Sequence, residues 1–459
     1  MSIISKFRAN LARAIAPDSV RRLDGAGGGR RFGNLASGTI RNDTSVASPL
    51  LRPRARNLAV NNPWASNGID VLVTGLVGTG IVPTSTIKNR DERRKLQATF
   101  RKWAKTCDAD GLTDYYGMQA AAARGLIVDG EAFIHMAETN DGLKLRLIPP
   151  EWIQSTNTSP NIVSEFGFEP AIMSGIEFGA DGQRTFYHVR KNALSAQTLK
   201  IPAADMIHLF LPLGAGQVRG TSWLASVILK LNDLDGLEDA LLMGFKVAAL
   251  HAGFLTNLTD SQAIPYDGAQ KENELETSLE PGTIKVLPAG TDIKFNSPQQ
   301  ANQATDFAAL ELRAVAAGMH VPEFLLTGDM RGANYSSMRS ALIAFRQYLE
   351  RIQFQILVPQ MLDKVWARAM FLQSEDLGVE HYPPALPWVD PLKDVEATQA
   401  EIEAGLISRR QAVARRGYDI EELDDEIAMD QEREKTLGLN FKTPTNNRGK
   451  QNANPQLPN

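Results

Sequence analysis

Cysteine is almost missing from this chain: Cys107 is the only one in 459 residues. A single thiol can build neither a disulfide framework nor a cysteine-ligated zinc site within one chain, and a reducing, cytosolic setting fits. Histidine is scarce too. The six, His135, His188, His208, His251, His320 and His381, include no pair at i, i+4 and no H-E-x-x-H, so no metal site is expected. No run of 18 apolar residues exists, so no membrane span is expected. The N-terminal "MSIISKFRANLARAIAPDSVRR" is basic and amphipathic but lacks a continuous apolar core and a cleavage site, which argues against a secretory signal. A helix lying on a membrane surface stays open for it. The nucleophile elbow G-x-S-x-G and papain-like cysteine flanks are absent as well, and nothing argues for an enzyme.

What is present begins with glycine. "VLVTGLVGTGIVP" packs Gly75, Gly78 and Gly80 behind an apolar run. A dinucleotide loop has the order G-x-G-x-x-G and opens a helix; here the spacing is reversed and an extended Ile81-Val82-Pro83 follows. No Lys-Ser or Lys-Thr pair makes a P-loop. Pro63 suits a first helical turn, and Trp64, Ile69, Leu72 and Leu76 recur at helical spacing. The plainer reading is a helix that glycines end and turn into a strand.

Charge is unevenly spread. The net is −4, yet residues 1–56 carry eleven Lys and Arg against three acids, so this arm is +8 and the remainder −12. A basic arm on an acidic body suits a chain whose one end meets an anionic partner, and a solvated tail with no partner is the alternative. "DGAGGGRRFGNLASG" is glycine-rich and expected to be mobile, with order beginning near Leu50.

Residues 60–212 pattern as an α+β unit. A helix from Pro63 is followed by a strand and a charged helix over 89–106. Then come a helix over 115–124, a turn at Asp129-Gly130 and a strand over 132–137. "LKLRLIPPEWI" adds a strand, "GIEFGADGQRTFYHVR" a hairpin around Asp181-Gly182, and "IPAADMIHLFLP" one strand more. One long helix, capped by Thr221 or Ser222, then carries an apolar stripe from Leu224 to Phe245 with Asp233, Asp235, Glu238 and Asp239 between. A small β-rich piece, a second helix over 306–319, a loop and a long helix over 338–372 bent at Pro359 follow. Residues 390–434 hold fourteen acids against six bases in a helical pattern, and 440–459 should be disordered. Two helices bracketing a β tip make a stalk, and repeating it around a ring would bury its apolar stripe against neighbours.

The sequence resembles the lambda-type portal proteins of tailed phages. The resemblance lies in "NNPWASNGIDVLVTGLVGTGIVP" (61–83), "VDGEAFI" (128–134), "GQVRGTSWLASVILKLNDLDGLEDALL" (216–242), "LEPGTIKVLPAG" (279–290), "GMHVPEFLLTGD…NYSSMRSALI" (318–343) and "WVDPLKDVEA" (388–397). These run in family order over about 50–438. The chain is short for that family at its C-terminus, and the basic Gly-rich arm has no match there. The resemblance implies an α+β portal fold. In that layout 1–49 is a flexible arm, 50–215 a wing, and 216–250 and 303–321 the two stem helices. A clip spans 251–302 and a channel loop 322–337. A long helix from wing to crown spans 338–389, a crown 390–439 and a disordered tail 440–459. It implies a ring of about twelve copies at one capsid vertex, assembled in the host cytoplasm and carried in the virion. Double-stranded DNA passes through its axis in packaging and ejection. The implied partners are further copies of itself, the terminase large subunit that supplies ATP hydrolysis, the capsid protein and later a neck protein, with no cofactor, no metal and no membrane.

For DNA to slide, a channel should carry few cations, because each Lys or Arg that neutralises a phosphate adds salt-dependent affinity. Asp233, Asp235, Glu238 and Asp239 suit a channel-facing stem, although an ordinary solvated helix face would look the same. In the loop, Gly328, Gly332 and Asn334 give flexibility, and Met330, Arg331 and Asn334 are the side chains expected to reach DNA. Two other classes stay open: a nucleotide-dependent enzyme using the glycines at 75–80, and a nucleic-acid or membrane adaptor using the basic arm.

Overall fold

Asn62 closes one helix and caps the next. α1 spans Ile40–Asn61 and α2 spans Pro63–Val77. Between them, Asn62 Oδ1 accepts from the Ala65 amide at 2.8 Å, and Pro63 fills the first helical position, where no amide is needed. The computed structural model describes residues 40–439 except 160–161, 165–166, 170, 193–196, 250–252, 256–268, 272–273, 277–283, 287–300, 333, 372–377, 385–390, 417 and 419. The glycine-rich arm over 1–39, most of the clip and the tail over 440–459 therefore lie outside the described residues.

α1 corrects one expectation. The sequence predicts a flexible arm over 1–49, but the helix already begins at Ile40 and runs through Pro49 and Pro53. Tertiary contacts override the prolines' cost. Ala47, Leu51 and Ala55 are buried, and Ser48 Oγ donates to the Gly220 carbonyl at 2.8 Å. Arg52 and Arg56, counted as part of a basic arm, are bonded to acids of the body.

α2 buries Ala65, Ile69, Leu72 and Leu76 and stops at Gly78, whose φ of 51° and ψ of −125° suit glycine alone. The Gly78 amide donates to Thr74 O at 2.8 Å and the Gly80 amide to Val77 O at 2.7 Å. The Ile81 amide donates to Gln119 Oε1 at 2.7 Å. The turn then enters β1, Val82–Ser85. Those amides are engaged within the chain and no helix starts after the turn, so the nucleotide-loop alternative does not hold and the plainer reading does.

α3 covers Arg90–Ala104 and α4 covers Tyr115–Val128, capped by Asn89 and Asp114. β2 (Glu131–Thr139), β3 (Gly142–Ile148), β4 (Ile162–Ser164), β5 (Gly167–Glu169), β6 (Ala171–Met173), β7 (Ile176–Phe178), β8 (Arg184–Arg190), β9 (Thr198–Pro202) and β10 (Met206–Phe210) follow in order. They form a three-stranded antiparallel sheet β10–β2–β3, a four-stranded sheet β6–β7–β8–β9 and a β4–β5 hairpin. The larger core lies between one face of the three-stranded sheet and helices α1, α2, α4 and the later long helix. A smaller one joins Phe133 and Ile148 to Ile176, Tyr187 and Val189 of the four-stranded sheet.

Ser222 caps a short 3-10 turn, Trp223–Ser226, before α5 (Ile228–Ala249), rather than one unbroken helix from 221. Four three-residue strands, β11 (Gly253–Leu255), β12 (Ala269–Lys271), β13 (Glu274–Glu276) and β14 (Ile284–Val286), pair as β11–β14 and β12–β13. α6 (Ala301–Met319) returns along α5, tied by Lys230 Nζ to Glu311 Oε2 at 2.7 Å. α7 (Glu323–Thr327) and α8 (Tyr335–Ile352) lead into a π-helical segment, Gln353–Leu362, and α9 (Asp363–Ala369). Pro359 does not break this helix; it sits in the widened turns. Gln353 Nε2 donates to Gly75 O at 3.2 Å and Leu76 O at 2.8 Å, satisfying the end of α2. β15 (Val379–Tyr382) pairs with β1, and α10 (Pro391–Glu403), α11 (Arg409–Ala414) and α12 (Ile420–Leu437) complete the chain's described part.

Candidate DNA-channel surface and the buried hub that roots it

The stem grows from a buried charged hub. Glu131, at the start of β2, is wholly buried and accepts from five groups. Arg52 Nη2 of α1 lies at 2.8 Å, Arg219 Nε and Nη2 at 2.9 and 2.6 Å, the Gly220 amide at 2.9 Å and His208 Nε2 of β10 at 3.1 Å. Arg219 spends its remaining donors on the carbonyls of Ile153 and Ser174, both at 2.9 Å, and Pro150 at 3.1 Å. Its guanidinium also lies 5.2 Å from the centroid of the Phe133 ring, on which His208 stacks at 4.2 Å. A Cβ on Gly220 would come within 2.8 Å of the Glu131 side chain, so only glycine lets the strand end and stem root approach this closely.

The electrostatics follow from burial and partners. Burial alone would raise the Glu131 pKa, but the Arg219 charge and the hydrogen bonds from His208 and Arg219 outweigh it and hold the carboxylate far below its ordinary range. Burial pushes His208 down to about 4 against the pull of Glu131, so the imidazole is neutral. Burial likewise raises Cys107 to about 12, which makes it an unreactive core thiol. Among the described residues no group of three or more metal-capable side chains converges.

The four expected stem acids separate. Asp235 Oδ1 accepts from Asn62 Nδ2 at 2.6 Å and Glu238 Oε1 from Trp64 Nε1 at 3.2 Å, beside the positive end of α2. Those two tie the stem to the start of α2, Asp235 half-buried and Glu238 still exposed. Asp233 and Asp239 are exposed. At 100° per residue these four positions spread over much of the helix circumference.

The loop is shorter and more ordered than expected. α7 occupies its first part, and Gly328 is that helix's left-handed C-cap at φ 69°. Asn334 is not a free contact. Its side chain accepts from the Ser337 amide at 2.8 Å while Ser337 Oγ accepts from the Asn334 amide, a capping box that starts α8. Met330 and Arg331 do project, with the Arg331 side chain 91% exposed. Arg331 forks onto Asp329, Nε to Oδ1 at 3.0 Å and Nη2 to Oδ2 at 2.7 Å. That hydrogen bonding draws the Asp329 carboxyl down to about 2. Gly332 sits in the turn beside Arg331.

Sequence reading missed the hub. The one hint is Glu131 at the head of the otherwise apolar "AFIHM", since a carboxylate opening a buried strand needs a cation from elsewhere.

The model of the family described as phage portal protein, lambda family, matches residues 29–353. The chain is 24% identical to the probable portal protein of Halomonas phage phiHAP-1, covering 85% of this chain and 81% of that one. It is 22% identical to the portal protein of Escherichia phage N15, with 93% and 94% covered. It is also 22% identical to portal protein B of Escherichia phage lambda, with 86% and 87% covered. Among solved structures, a chain in the neck of an empty gene transfer agent particle is 16% identical with a TM-score of 0.47, covering 88% of this chain and 99% of that one. These sequence matches define a structural protein of the bacteriophage capsid vertex. More narrowly, the chain belongs to the lambda family of phage portal proteins. No helix among the described residues is long and apolar enough to cross a membrane.

Proposed function

We propose that this chain forms a closed ring of about twelve copies at one capsid vertex, through which double-stranded DNA is packaged and later ejected. The ring would dock a terminase during packaging and a neck protein afterwards. The observation that carries the reading is an uncovered apolar face on the stem. Leu242, Met243 and Phe245 of α5 and Phe307 and Leu310 of α6 are each at least half exposed, on two helices that already pack together. The root of the same stripe, Leu224 to Leu234, is fully buried in the body. An apolar face of this size on the free half of a helix pair needs a partner, and identical copies around an axis supply one to every subunit. Closed cyclic symmetry also supplies a hole that no single chain of 50.3 kDa can make around a duplex roughly 20 Å wide.

In that ring we assign Asp233 and Asp239 to the axial surface and Met330 and Arg331 to the loop nearest the DNA. Arg331 already holds Asp329, so its pull on a phosphate is divided, which suits a contact that must let DNA slide. Native mass spectrometry and end-on negative-stain images of the purified protein test the reading. Closed rings with a central hole are expected, and monomer or dimer alone across a range of salt would overturn it.

A further inference from the structure

The described part of the molecule carries a second charged surface, far from the stem in sequence. Between residues 88 and 105, α3 and its flanks bear eight Lys and Arg against two acids. α12 is the reverse: 18 residues with eight carboxylates and two bases. The two helices meet. Arg93 Nε donates to Glu421 Oε1 at 2.8 Å and Arg94 Nη2 to Asp425 Oδ2 at 2.5 Å. Beside these pairs a hollow of about 300 Å³ is lined by Gln97, Ala98 and Arg101 on one side and Glu426 and Met429 on the other. Beyond the covered half, Arg101, Lys102 and Lys105 border an open hollow of about 580 Å³.

α12 is held there mainly by charge. Its apolar residues Ile427, Met429 and Leu437 are exposed, and the Arg94–Asp425 pair is itself well exposed. That pair is weak and screened by salt, and the firmer tie is Arg93–Glu421, whose side chains are largely buried. The helix is about 27 Å long, so its eight carboxylates fall one per about 3.4 Å, close to the phosphate spacing along one strand of duplex DNA. Of these, Glu421 and Asp425 face α3, while Asp424 pairs with Arg409 of α11.

We propose that the cationic face of α3 is a binding surface for the phosphate backbone of double-stranded DNA, and that α12 covers half of it as an internal competitor. The aromatic rings at this face are committed to the fold: Phe100 is buried, Trp103 packs on the core with its Nε1 donating to Leu143 O, and Tyr116, which borders the open hollow beside Asp114, packs on the core and on Tyr115, so none stands clear for stacking on unpaired bases. Leu96 likewise packs against the core, which leaves no apolar wedge to enter a lipid surface. The surface therefore fits a duplex backbone, read without sequence preference. The inference does not depend on ring formation, since each chain carries the whole device.

The test measures anisotropy of a labelled 30-base-pair duplex with the full-length chain at low salt. Glu421→Gln with Asp425→Asn removes the two carboxylates paired with Arg93 and Arg94 and should tighten binding by about tenfold, with a steeper fall as salt rises. Adding Lys102→Glu and Lys105→Glu should abolish that gain. Hydrogen exchange of the parent adds a readout free of substitution: α12 amides should exchange faster when duplex is present. Equal affinity of parent and neutralised chain would overturn the proposal. So would a gain that survives the lysine reversals, which would locate binding in the N-terminal arm. Binding of the neutralised chain to phosphatidylglycerol vesicles but not duplex, or unchanged exchange of α12, would overturn it equally.

Discussion

Removing the charge from Glu131 while keeping its shape should cost this protein a large part of its stability. In Glu131→Gln, Arg219 and Arg52 keep their places: Arg219 through the carbonyls of Pro150, Ile153 and Ser174, Arg52 through α1. Arg219 then sits nearly dry without its carboxylate and Arg52 keeps only the more distant Asp129 and Glu151, since the Arg219 and Arg52 side chains are only 2% and 8% exposed. The new amide must also aim donors at donors. Breaking one partner of a buried ion pair typically costs about 3–5 kcal/mol. In a body of this size that lowers Tm by about 5 °C. Arg219→Met should be at least as damaging, because it orphans the same three carbonyls as well as the carboxylate.

The hub also sets a pH dependence. His208 is held neutral, its pKa moved from the ordinary 6.5 to about 4, so the unfolded chain takes up a proton that the fold refuses. Stability is complete above about pH 6.5 and falls as pH drops toward 4, by up to about 3 kcal/mol from this group. Glu131, depressed in the fold, adds a further loss below its ordinary pKa, in the same direction. Thermal unfolding of the full chain, followed by circular dichroism from pH 7.5 to 4.5, reads the His208 effect, and extending it to pH 3 brings in that of Glu131. A Glu131→Gln Tm within about 2 °C of the parent at pH 7.5 would show that the hub's charge pairing does not hold the fold together.

Gly78→Ala should destabilise by about 2 kcal/mol, because φ 51° with ψ −125° strains any side chain, and should change no nucleotide affinity; calorimetry with ATP checks both halves. Gln353→Leu should cost about 1–3 kcal/mol in urea unfolding by leaving the Gly75 and Leu76 carbonyls unpartnered. Leu242→Asp with Phe245→Asp should leave secondary structure intact and yield monomers by native mass spectrometry; unimpaired rings would remove the stem face from the assembly. Arg331→Glu should leave rings intact yet lower the DNA retained in filled heads, and heads filled like the parent's would end the loop assignment.

The local grammar is legible in adjacent residues. Pro63 and the glycines at 78 and 80 mark where a helix starts and stops, Asp129-Gly130 and Asp181-Gly182 mark turns, and the stripe from Leu224 marks a helix with one dry face. Each is written in a few adjacent residues, through φ preference, capping and period. The family, too, was legible in short stretches spread along the chain. Tertiary structure decided what neighbours in space impose. α1 persists through Pro49 and Pro53 because Leu51 and Ala55 are buried and Arg52 finds Glu131. Asp235 and Glu238 lean toward the start of α2 because Asn62 and Trp64 offer donors 173 and 174 residues away. Asn334, a loop residue by composition, is committed to a cap by Ser337. The acids of α12 look like solvated charge in the sequence, yet some are matched to α3 more than 320 residues earlier. A charge has no period that names its partner; only the fold brings the partner within reach, and burial then decides how much the pair is worth.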